Sequence, residues 1–284
     1  MKKLILILPF LMTTLLSSGQ DDIMAITDSI TAEGKRLYQN EMASWYGTDI
    51  FLAGYKERSK IGGYLSYMDK DSARCIFFSR ADEPVVIGII FFDSTYSPET
   101  AVTRYAERPC RETERSLHVI RMKTLEIINS GDTLFKRYTN TSYNLIPLIS
   151  NGQKKVYILT GPEKNGVVIF GNDYLLLFDE QNQLISKKQL HKNIISMNYG
   201  EKMKEGEKAV AAVHTHLPET GEFMTATDIC TLMLYAKFAN WEQHIVISEH
   251  YMNFWDCKNN RLLAITRKAM DKINKDLKKR KKDN

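Results

Sequence analysis

The chain has 284 residues, 43% hydrophobic and 26% charged, with 15 Gly and 7 Pro, which excludes collagen-like, low-complexity and broadly disordered proteins. That length gives one large domain or two modest ones, each able to bury a core. The formal charge of +5 sits at the ends, +6 over residues 266–284 and +2 at Lys2 and Lys3, so the body carries −3 and offers no basic face to nucleic acid.

Lys2 and Lys3 precede an almost unbroken apolar run over residues 4–16, and Ser17, Ser18 and Gly19 follow. That order is that of a signal peptide over residues 1–19, cleaved near Gly19–Gln20; the run is short for a membrane span. An uncleaved anchor is the alternative. No cysteine follows the run, which argues against a lipoprotein anchor. The mature chain is therefore expected to be secreted or periplasmic, in a bacterial envelope, with no transmembrane span.

Residues 26–44 read as a helix, with Thr27 or Asp28 available as a cap. Residues 75–79 and 84–92, rich in Ile, Val and Phe, read as strands. Residues 97–106 read as helix, broken at Pro109 and resumed over 112–128, where Leu117, Ile120, Met122 and Leu125 form an apolar stripe that includes His118. Residues 133–138 and 155–160 look extended; between them 144–153, with Pro147, Asn151 and Gly152, is the best domain junction. Residues 166–170 and 174–178 flank Gly171–Asn172 as a hairpin would. A strand over 209–216, a helix over 225–241 and strands at 244–248, 252–255 and 262–266 follow. The tail over 267–284 reads as a solvated basic helix, with attraction to an acidic envelope surface as its functional alternative. The expected class is α/β or α+β, a mixed sheet with flanking helices. The expected division is 1–19 signal, 20–150 an N-terminal α/β domain, 151–266 a metal-binding domain and 267–284 tail.

The chemistry concentrates in the second half. His214 and His216 share one side of a strand, because side chains alternate, and they reach its end where Leu217 and Pro218 begin a loop. That predicts exposed imidazoles pointing the same way, as two ligands of one metal must. Asp228 follows twelve residues later, in the first turn of a helix, where the dipole favours a carboxylate. Two His and one carboxylate, with a fourth position for water, form the ligand set of a catalytic zinc site, which lowers the pKa of that water to about 7. Two plainer readings stand beside this: a pair of surface histidines, and a capping box in which Thr225 caps the helix and Asp228 answers it. A box can coexist with a ligand.

His214-Thr215-His216, eight residues, then Thr225-Ala226-Thr227-Asp228 resembles the JAMM/MPN-type metalloprotease motif. The loop is one residue longer than the family's, and threonine stands where the family has serine. The resemblance covers under half of the chain. It implies zinc ligation by His214, His216 and Asp228, a general base at Glu163 in Glu163-Lys164-Asn165-Gly166, and oxyanion support from Thr225. Glu180 and Glu222 are rival bases. It also implies a mixed sheet like that of cytidine deaminases, and a protein, peptide or peptidoglycan cross-link as substrate. The function expected is an exported zinc-dependent hydrolase of amide or isopeptide bonds; the alternative is a non-catalytic envelope binding protein.

None of Cys75, Cys110, Cys230 and Cys257 lies in a CxxC pattern, so a zinc ribbon or thioredoxin-type site is excluded. Disulfides are open to them after export, but burial is the expected role of each, including Cys230, which is near the His pair but inside an apolar helix. The polar patches Asn172-Asp173-Tyr174 and His191-Lys192-Asn193 read as turns. His191 is also placed to line a groove near the site.

Overall fold

The computed structural model describes residues 8–70, 72–150, 152–199 and 211–280, with side chains described from Asp21 onward. Residues 1–7 of the expected signal peptide, 209–210 of the expected strand and 281–284 of the tail lie outside the described residues. Among the described residues, no helix is long and apolar enough to cross a membrane.

Helix α1, Leu8–Gly54, contains the expected helix over 26–44 and touches several layers of the molecule. Its last turns bury Ala43 and Phe51 against Cys75 and Phe77. Phe51 stacks on Phe77 with ring centroids 3.7 Å apart. Further back, Leu37 joins Ile146, Leu148 and Cys230 in another cluster. At Gly34 the helix comes so close that a Cβ there would lie 2.6 Å from Ile229, so only glycine permits the crossing.

The strands β1 Ile61–Asp69, β2 Ser72–Ser79, β3 Val86–Phe92 and β4 Val102–Arg108 form an antiparallel sheet in that order. The helix expected over 97–106 is instead β4. The segment has no helical apolar stripe, and Val102 and Thr103 pair with Phe91 and Ile90 at the sheet edge. Helix α2, Glu112–Asn129, follows, with Leu117 and Ile120 buried on its stripe. The extended segment expected at 133–138 is a turn and unpaired chain. There Asp132 Oδ1 accepts from the Leu134 N–H, which favours the turn.

Next come β5 Thr141–Ser150, β6 Gln153–Pro162, β7 Val167–Gly171, β8 Tyr174–Phe178, β9 Leu184–Gln189 and β10 Ile194–Asn198. The first two pair antiparallel along their whole length, so the junction expected over 144–153 lies in a hairpin. One core cluster joins Leu65, Ile76 and Leu117, before that hairpin's turn, to Val156, Ile158 and Leu176 after it. The hairpin expected around Gly171–Asn172 does not form. Its two strands enter different sheets, β8 between β6 and β9 and β7 against β10. Gly171 at φ +85° and Asn172 at φ +56° turn the chain from one sheet to the other.

The last sheet holds β11 Ala211–Thr215, β12 Gln243–Ile247, β13 Tyr251–Asp256 and β14 Arg261–Thr266. The first two run parallel and are joined through helix α3, Ala226–Ala239; the others are antiparallel. Ile229, Leu232 and Ala236 of α3 pack with Val168, Phe170, Val246 and Trp255 in a separate core. Burying each such large side chain contributes roughly 1.5–3 kcal/mol. The basic tail forms α4, Arg267–Arg280, with no buried residue. The protein is thus a mixed α+β fold. All four cysteines are free; burial pushes the Cys75 thiol up to about 12 and Cys230 well above its usual value, which keeps both unreactive.

Candidate metal centre

Period-2 alternation places Ala212 and His214 on the face of β11 that meets α3, and His244 and Val246 on the same face of β12. Both imidazoles of the His-x-His pair are therefore buried, His214 at 6% and His216 at 7% exposure, rather than exposed at a strand end as expected. The cover comes from α3 in front and from the segment between β9 and β10 at the side.

Helix α3 begins with a complete capping box. Thr225 Oγ1 accepts from the Asp228 N–H at 3.1 Å, and Asp228 Oδ2 accepts from the Thr225 N–H at 2.8 Å. The Thr225 hydroxyl donates back to the same Oδ2 at 2.9 Å. The box fixes the carboxylate, and its other oxygen, Oδ1, faces His191 and His214.

His191 supplies the third imidazole, and its loop is pinned to the start of β8. The Leu190 N–H donates to the Asp173 carbonyl at 2.7 Å, and the Asn172 N–H to the Asn193 carbonyl at 3.0 Å. A Cβ at residue 171 would lie 2.2 Å from the Asn193 oxygen, so Gly171 is needed for this approach. The Asp173 carboxylate, held by the Thr160 N–H at 2.9 Å, stands 3.5 Å from His191 Nδ1.

Around Asp228 the distances are short: His216 Nε2 to Oδ2 3.2 Å, His191 Nε2 to Oδ1 3.4 Å and His214 Nε2 to Oδ1 3.8 Å. His191, His216 and Asp228 each offer a ligand atom within 4.8 Å of the other two. Zinc–donor bonds of about 2.0–2.1 Å in a tetrahedron place neighbouring donors roughly 3.3 Å apart, so this spacing suits such an ion. His214 has its Nδ1 2.8 Å from His244 Nε2, which leaves its Nε2 toward Asp228.

The polar accounting gives the same fit. His191 Nε2, His214 Nε2, both ring nitrogens of His216 and Asp228 Oδ1 are buried and have no hydrogen-bond partner. Buried polar atoms are costly when unsatisfied, and here they converge. Burial opposes the charge on Asp228, but His191 and His216 hold its carboxyl well below the usual range. Burial also opposes a charged His191, yet Asp228 and Asp173 raise it to about 10. Burial, helped by His216 and His191, drops His214 to about 4, and burial with His214 drops His244 to about 3. Burial raises the Asp173 carboxyl.

Of the residues singled out from sequence, His214, His216, Asp228 and Thr225 come together, with Thr225 bonded to Asp228. Glu163 is not brought in: it is exposed in the turn after β6, where its N–H donates to the Asn140 carbonyl at 3.0 Å. Glu180 is exposed in the turn after β8. Glu222 is half-buried in a group with the exposed Glu249 and His250, its carboxylate accepting from Ser248 Oγ at 2.6 Å. Sequence reasoning placed His191 near the site only as a groove residue, and it missed the parts played by Asp173 and His244. The available signal was a polar Asn172-Asp173 step inside a long apolar stretch, and a histidine beside a turn.

Comparison with known proteins finds no matching family model, no matching curated protein and no matching solved structure.

Proposed function

We propose that this chain is an exported zinc-binding protein with a JAMM-like core, and that its centre hydrolyses amide or isopeptide bonds. The observation that carries the reading is the convergence of unpartnered ring nitrogens from His191, His214 and His216 on the Asp228 carboxylate, whose Oδ1 has no hydrogen-bond partner. The parallel β11–α3–β12 unit, with the His pair at the end of one strand and Asp228 in the first turn of the helix, supports the same reading.

His214, His216 and Asp228 would hold the ion, which supplies Lewis acidity and a nucleophile from water near neutral pH. Thr225 positions Asp228 through the capping box, and its proton is already engaged there. His191 takes the role the resemblance gives to Glu163. Its Nε2 faces the ligand cluster and Asp173 stands at its Nδ1; a bound cation would oppose the charge that Asp228 and Asp173 favour on the metal-free imidazole, and Nε2 would then be the atom that takes a proton from water and returns it to the leaving amine. His244 orients His214 from behind.

One observation favours a second reading, a non-catalytic binding protein. All four groups are almost wholly buried, as in closed structural sites where protein supplies every ligand. Substituting His191→Ala separates the two. Assayed with the zinc-loaded full chain on an isopeptide-linked peptide, the hydrolase reading expects cleavage by the wild type, and a variant that keeps its zinc but loses turnover. Loss of the zinc itself, with no cleavage by the wild type, establishes the closed site instead.

A further inference from the structure

A cleft of about 560 Å³ lies between α1, α2, the β5–β6 hairpin and the far end of α3. Phe238 on its wall is ten residues beyond Asp228, roughly 15 Å along the helix axis, so the cleft is separate from the histidine cluster. Its volume is in the range of small-molecule sites, about 300–1,000 Å³.

Three charged side chains line this space, the exposed Lys164 at its edge and two that are half-buried. Glu41 comes from α1 and Arg121 from α2, and both line the cleft. Among the described residues neither forms an ion pair, although each feels the other's charge. The Arg121 guanidinium lies over the Tyr64 ring, 5.7 Å from its centroid, and makes no hydrogen bond to a described residue. That leaves the planar fork of a half-buried guanidinium free, and the complement of such a fork is a carboxylate. Glu41 has the Asn144 amide beside it, and burial raises its carboxyl to about 7 despite Arg121. Its complement is an ammonium group. Around this pair the walls mix polar groups with aromatic rings, among them Trp45 at 45% and Phe238 at 55% exposure.

We propose that the cleft binds a small zwitterion, an amino acid or short peptide with free termini, its carboxylate on Arg121, its ammonium on Glu41 and an apolar side chain against Trp45 and Phe238. A guanidinium alone would suit any anion, but a guanidinium and a carboxylate within each other's field select a ligand carrying both signs. The exposed rings then favour an apolar side chain over a polar one. This inference does not rest on the metal centre.

The test is calorimetric titration of the full chain, in chelator, with alanyl-phenylalanine, its C-terminal amide and its N-acetyl form. The free dipeptide is expected to bind saturably at one site, with each blocked form weaker by at least about tenfold, the worth of one charge-assisted contact. In Arg121→Gln the amide should no longer be penalised relative to the free dipeptide, and in Glu41→Gln the N-acetyl form should not be. No saturable binding of the free dipeptide, or equal binding of all three forms by the wild type, overturns the proposal. Because the ligand series is decided on wild-type protein, a variant that fails to fold does not blunt the test.

Discussion

Two helices of this protein open with a buried carboxylate that accepts from the N-cap N–H, and put it to different ends. At the start of α2 the buried Glu114 accepts from the Arg111 N–H and is fully answered by the protein. Arg108 grips both its oxygens at 2.7 Å, the Arg111 N–H donates at 2.8 Å and the Tyr67 hydroxyl at 2.8 Å. At the start of α3 the equally buried Asp228 closes its box with Thr225, but its second oxygen has no hydrogen-bond partner and meets imidazoles instead. A buried carboxylate must be neutralised or paired. Glu114 is paired within the fold, whereas the Asp228 cluster has donor atoms left over, which is how a cation site differs from a structural ion pair.

The largest expected contrast is in stability. Glu114→Ala leaves Arg108 beside an emptied, buried position and should cost about 3–5 kcal/mol in urea unfolding, with or without chelator. Chelation should act only on the other helix. Removing zinc from the wild type should lower Tm by about 10 °C, the size of roughly 4 kcal/mol of ligand linkage in a chain this long, and Asp228→Asn should show no response to chelator. A chelator response that survives in Asp228→Asn would break the comparison.

Smaller effects sharpen it. Asp173→Asn should lower turnover about 10–100-fold by loosening His191, while zinc content and the far-UV spectrum stay unchanged. For the metal-free protein the pH profile has two arms. His214 and His244 are held neutral, with values lowered to about 4 and about 3, so the stability they contribute is present above about pH 6.5 and is lost as pH falls toward those values. His191 is raised to about 10, so its contribution is complete below about pH 6.5 and declines as pH climbs toward 10. Thermal melts in chelator across this range should peak near neutrality, and His191→Gln should remove the alkaline arm alone.

Much of this was legible in the sequence where the signal was local. The alternation that carries His214 and His216 to one face, and the Thr225-x-x-Asp228 box, are short-range patterns that the fold keeps. What stayed hidden depends on which layers meet. His191 lies 23 residues before His214 and reaches the cluster only because Gly171 and Asn172 hand the chain from one sheet to another. The same hand-over defeated the expected hairpin. The burial of the His pair is likewise set by α3 and the loop holding His191, which no strand pattern contains. The strand at 102–108 was lost for a related reason: an exposed edge strand, with little apolar alternation, is specified by its neighbour rather than by itself.

Zinc titration of chelator-stripped, full-length protein by calorimetry, read against elemental analysis after dialysis, bears most directly on the cluster. The expected result is one zinc per chain, bound with proton release as the charged His191 gives up a proton beside the cation. A wild-type protein that takes up no zinc, or whose zinc remains when His216 and Asp228 are both replaced by Ala, would show that these side chains do not gather around a metal.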